Sequence, residues 1–135
     1  MESHQFTQLP VYLKALEIFK VSRGIAHVIS EKPHVIEMAY SSNPKNSAAG
    51  DLVSHSLNLI PQLAALQNSK DAANLFRGAR QVRKSARFLL TKCRYIEKEG
   101  LKEKEFLRLL RNEIKVFDQL FREWFTTLQV KHNSN

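Results

Sequence analysis

Between Arg77 and Arg94 the chain carries seven Lys or Arg and no Asp or Glu: Arg77, Arg80, Arg83, Lys84, Arg87, Lys92 and Arg94. A run of cations without a carboxylate is suited to holding anions, and spacing decides whether its members act together. At ~100° per residue, six of the seven, all but Lys92, fit within a helical arc of roughly 120°. Arg80, Arg87 and Arg94 form a heptad series. The same segment sets Leu75, Ala79, Val82, Ala86, Leu89 and Cys93 on the opposite arc. One helix therefore has an apolar face for a core and a cationic face for something anionic.

The wider charge distribution points the same way. Residues 1–68 hold five Lys/Arg and five Asp/Glu, whereas residues 69–135 hold sixteen against eight. The whole formal excess of +8 lies in the second half. A localised positive field steers polyanions and supports contacts to phosphate backbones. The plainer alternative is a solvated basic face that keeps the protein soluble. The length of the acid-free stretch and its convergence on one face favour nucleic acid.

Other chemistries find little support. His4, His27, His34, His55 and His132 are scattered, with no His-x-x-x-His or Glu-x-x-His pair, so no metal site is expected. Arg23-Gly-Ile-Ala-His27 sits too close in sequence for the Arg/His motif of helical ribonuclease toxins. Cys93 lies in the apolar arc and reads as a small buried hydrophobe. There is no Ser/His/Asp set, no phosphate-cradling Gly loop and no convincing carboxylate pair. A non-catalytic protein without cofactor is expected. Two aromatics, Phe88 and Tyr95, lie beside the Arg77/Lys84 edge of the basic stripe. They would serve to stack bases or to pack against a neighbouring helix or subunit.

The elements that must position these residues are helical. Gly and Pro number four each in 135 residues, and no hairpin signal occurs, so the dominant period is that of a helix. The length suits one domain spanning 1–135, with four helices near 10–31, 47–66, 71–99 and 102–129 and a disordered tail over 130–135. The first stripe is Val11, Ala15, Ile18, Ser22, Ile25, Ala26 and Ile29. Lys32-Pro33 ends that helix, and 33–46 is the least regular stretch, with a loop at Ser41-Ser-Asn-Pro-Lys-Asn and a turn of helix near Val35-Ile-Glu-Met. In the second helix Leu52, Val53, Leu57, Ile60, Leu63 and Ala64 face one way, and Pro61 should kink or break it near Leu57. Asn68 or Ser69 caps the third helix, and Gly100 closes it. Phe106, Leu110, Ile114, Phe117, Leu120, Phe121, Trp124 and Leu128 form the fourth stripe, widened by Leu109 and Val116 in a way that suggests subunit contacts. Short loops predict an antiparallel up-down four-helix bundle. No run of about 18 apolar residues is present, so no membrane-spanning helix is expected. The polar N-terminus lacks the pattern of a secretory signal. A single cysteine suits a reducing cytoplasm.

These helices resemble the small bacterial four-helix-bundle proteins that include the ribosomal-RNA intervening-sequence proteins and the accessory variability determinant of diversity-generating retroelements. Ser56-Leu-Asn-Leu-Ile-Pro61 resembles the Ser-Ile-Pro element of the former, although Gln62-Leu-Ala-Ala-Leu66 departs from the Asn-Ile-Ala-Glu-Gly that usually follows. The stretch from Asn74 to Leu90 is similar to the arginine-rich third helix of the latter, and Ile114–Trp124 to its last helix. The resemblance implies a homopentameric barrel of bundles that partners a reverse transcriptase and its template RNA; the charge pattern itself leaves DNA as the other candidate nucleic acid. The residues it assigns to nucleic acid are Arg77, Arg80, Arg83, Lys84, Arg87 and Arg94. It carries no catalytic residues. The competing function is a structural bundle that docks an acidic protein.

Overall fold

The computed structural model describes residues 5–29, 43–98 and 104–133. It has four long helices: α1 Pro10–Ile29, α2 Pro44–Gln67, α3 Ala72–Lys98 and α4 Lys104–Asn133. No strand occurs among the described residues. The chain is all-α. The end of the first helix beyond Ile29, the Val35–Met38 segment, Gly100 and residues 134–135 lie outside the described residues.

Each helix starts where the backbone is prepared for it. Pro10 and Pro44 both occupy first-turn positions, where the missing N–H has no intrahelical partner to lose. In consequence α2 begins at Pro44, three residues ahead of the expected Ser47. Pro44-Lys-Asn46 belongs to the helix rather than to a loop. Asp71 caps α3, its Oδ1 accepting the Asn74 backbone N–H at 2.8 Å. The expected caps, Asn68 and Ser69, serve the preceding helix instead. Asn68 Nδ2 donates to the Ala64 carbonyl and Ser69 Oγ to the Ala65 carbonyl, satisfying acceptors at the end of α2.

Three expectations about helix faces and ends change. First, α2 is not broken at Pro61. The ring and Leu57, whose carbonyl loses its donor, both lie on the exposed side, where water can serve that carbonyl. Second, Leu57 is 48% exposed, and Leu59 is fully buried in its place. The inner row of α2 is Leu52, Ser56, Leu59, Leu63 and Leu66. A reading by hydrophobicity passes over Ser56, yet Ser56 Oγ donates to the Val53 carbonyl at 2.9 Å and so enters the core already satisfied. Third, Phe106 is 56% exposed while Leu107 is buried. At ~100° per residue the expected stripe is centred about 25° from Phe106 and about 75° from Leu107, so periodicity favours Phe106. The structure buries Leu107, the one on the α3 side. The tail also differs: α4 continues through Val130 to Asn133. No Gly or Pro between Val130 and Asn133 breaks the helix, and Lys131 puts positive charge at its negative end.

All four helices contribute to one main core. The stripe of α1 is buried as expected except that Ile29 is half-buried, and that of α3 gains Ser85 and Ile96. On α4 the rings of Phe117, Phe121 and Phe125 stack in series, with centroid spacings of 6.2 and 5.9 Å. Polar pairs tie neighbours together around this core. Lys14 of α1 meets Glu113 of α4 at 2.7 Å. Lys92 of α3 meets Asp51 of α2 at 3.1 Å, and Arg111 of α4 meets Glu97 of α3 at 2.8 Å. Gln62 donates to Ser85 Oγ across α2 and α3.

Two helical glycines differ in what a methyl group would meet. A Cβ on Gly24 has nothing within 4 Å, whereas one on Gly78 falls 2.7 Å from Leu66 Cδ2 and 3.2 Å from its Cγ. Gly24→Ala is therefore expected to stabilise the protein by about 0.5–1 kcal/mol through helix propensity. Gly78→Ala should lose that gain by displacing the buried Leu66. Thermal melts of the two variants separate the cases. A Gly78→Ala protein melting above wild type would show that α2 and α3 are not in close contact there.

Candidate nucleic-acid interface

The amphipathic pattern of α3 turns its apolar arc to the core and its six stripe cations outward. Arg77, Arg80, Arg83, Lys84, Arg87 and Arg94 are all exposed. Arg77 Nη1 donates to Asn74 Oδ1 at 3.0 Å, and Arg83 Nε lies 3.9 Å from Asp118. Among the described residues, Arg80, Lys84, Arg87 and Arg94 have no carboxylate within ion-pair distance. Lys92, the run's one outlier by angle, is half-buried against Asp51 and sits 5.1 Å above the Phe88 ring.

The two flanking aromatics have different surroundings. Phe88 is half-buried, with its ring 4.0 Å from that of His55 on α2. Tyr95 is 37% exposed. Phe88 thus has one face covered by its neighbouring helix.

α4 adds a second row of cations that the sequence reading did not assign to the site. Arg83, Arg87, Lys115 and Arg122 line a cleft of about 260 Å³ between α3 and α4, with Asp118 as its one carboxylate. Asp118 accepts from Arg122 Nη2 at 2.8 Å and draws Arg83 toward the same point, bridging the two helices. A further cleft continues the groove toward the start of α3, where Arg80 and Arg122 flank Phe76 and Phe125. The signal was present in the sequence. Arg108, Lys115 and Arg122 are a heptad series of their own. It was obscured because acids are interspersed on α4.

Among the described residues no group of His, Cys, Asp and Glu could hold a metal ion. Burial pushes the Cys93 thiol up to about 12, with Glu97 adding to the effect, so at neutral pH it stays protonated and unreactive. No described helix is long and apolar enough to cross a membrane.

The fold and surface define an all-α, four-helix protein with a two-sided cationic groove. Comparison with family models, with characterised proteins and with solved structures gives no match.

Proposed function

We propose that this chain is a non-catalytic nucleic-acid-binding protein, with RNA its favoured ligand and DNA the other candidate. The observation that carries the reading is the outer face of α3: six exposed cations, five of them without a carboxylate partner among the described residues. Phosphate backbones match such a row in charge, and each contact releases counterions. The resemblance of α3 and α4 to the accessory variability determinant extends the proposal. In that reading the protein is a cytoplasmic accessory subunit that brings template RNA to a reverse transcriptase in a diversity-generating retroelement. The test is RNA affinity across a salt series. A steep fall with salt is expected, and a nearly flat dependence would instead favour docking on a folded acidic protein.

Two finer features belong to the same proposal. The bundle is antiparallel and up-down: Asp51, His55 and Gln62 ascend α2 while their partners Lys92, Phe88 and Ser85 descend α3. The assembly is a homopentamer. Leu109 and Val116 support self-association, since they are 46% and 44% exposed and lie one heptad apart on α4, on the flank that carries Glu113. Light scattering is expected to give a mass near five times 15.6 kDa. A monomer across micromolar concentrations would sink the oligomer.

A further inference from the structure

We propose that the groove between α3 and α4 seats a single RNA strand, with phosphates on the cations of both rims and a base on the exposed ring of Phe76. This rests on the nucleic-acid reading and specifies the form of the ligand.

The groove has two rims of the same sign. Arg80, Arg83 and Arg87 stand on α3, while Lys115 and Arg122 stand on α4. A strand lying between them is contacted from both sides. The lining runs from Phe76 to Leu90, about 21 Å along the helix at 1.5 Å per residue. Asp118 is the one carboxylate in it. Its contacts with Arg122 and Arg83 occupy those guanidiniums in part and hold them in place across the groove. Phosphates therefore seat on either side of Asp118, at Arg87 with Lys115 and at Arg80 with Arg122.

The groove also presents an aromatic surface. Phe76 is 50% exposed beside these cations. Its only ring neighbour among the described residues is Phe125, in edge contact at 5.9 Å and 74°. Phe125 in turn stacks on buried Phe121, so the platform is anchored to the core from below. A large hydrophobic ring left open between arginines is costly to keep in water and suited to a base face. A duplex, with its bases already stacked inward, offers that ring nothing. A single strand with splayed bases does.

The experiment uses fluorescence anisotropy with three RNA probes of about 12 nucleotides: a single strand, an abasic strand of equal charge and a duplex. The proposal expects wild type to bind the single strand about tenfold tighter than the abasic one. Phe76→Leu should weaken single-strand binding by about tenfold. It should leave abasic and duplex affinities and the salt slope unchanged, because no phosphate contact is lost. Phe76 is exposed, and a thermal melt verifies folding. If that variant unfolds, the abasic comparison on wild type decides alone. Equal affinity for abasic and intact strands, or no effect of a folded Phe76→Leu, overturns the base platform while salt-dependent binding keeps the nucleic-acid reading alive. Absence of salt-dependent binding to all three probes overturns both.

Discussion

The doubly reversed protein, Arg80→Glu with Arg87→Glu, is expected to lose about a hundredfold or more in RNA affinity while remaining folded. Both side chains are exposed and neither has an acidic partner among the described residues. The reversal therefore breaks no described ion pair, and surface changes of this kind stay within about 0.5 kcal/mol. A glutamate at position 80 also gains Lys84 four residues on, a favourable pairing on a helix. The loss of binding comes from two phosphate contacts removed and two repulsive charges added. The log–log salt slope should flatten by about one unit per lost contact. In an oligomer the defect repeats in every subunit and multiplies across a shared surface. A suitable control is Lys20→Glu with Arg23→Glu, both exposed on α1. If the stripe variant binds like wild type with unchanged circular dichroism, the stripe is only a solubility face.

Lys14 is unsuited to that control, although the sequence places it in the neutral half among apparently ordinary surface charges. Lys14→Glu is expected to cost about 3 kcal/mol and to lower the melting temperature by roughly 10 °C. The Lys14 side chain is only 19% exposed and that of Glu113 16%, with Nζ and Oε2 2.7 Å apart. Glu17 shares the same ammonium at 2.8 Å. Reversal would crowd three carboxylates between α1 and α4. The pair also predicts a pH dependence. The hydrogen bonds that Lys14 donates to Glu113, then to Glu17, hold its ammonium above its ordinary 10.5. Its contribution to stability is thus complete below that value and lost as pH rises through the raised one. The Lys14 hydrogen bond holds the Glu17 carboxyl below its ordinary 4.5, so that contribution is present above 4.5 and lost as pH falls through the lowered value. Lys14→Met should flatten the stability curve at both ends. The charge swap Lys14→Glu with Glu113→Lys should recover part of the loss. A Lys14→Glu protein that melts with wild type would show that α1 and α4 do not meet there.

Much was legible in the sequence because helical periodicity is local. The stripe of α3, with Leu75, Val82 and Leu89 against Arg80, Arg87 and Arg94, needs only a rotation of 100° per residue and a contrast in polarity, and both are written in the chain. Helix existence and the outward face of the cations followed from that alone. Tertiary structure decided what depends on neighbours. Periodicity favoured Phe106 over Leu107, and packing placed Leu107 inside. Ser56 took a core position because its hydroxyl is satisfied by a carbonyl of its own helix, which displaced Leu57 to the surface. Proline at 61 did not end α2, because the orphaned acceptor faces water rather than the core. Most consequentially, the sequence offered a stripe on one helix, whereas the groove required two. Arg83 and Arg122 are 39 residues apart in sequence. They come together only because α3 and α4 pack side by side and Asp118 holds both, a relation that no local pattern encodes.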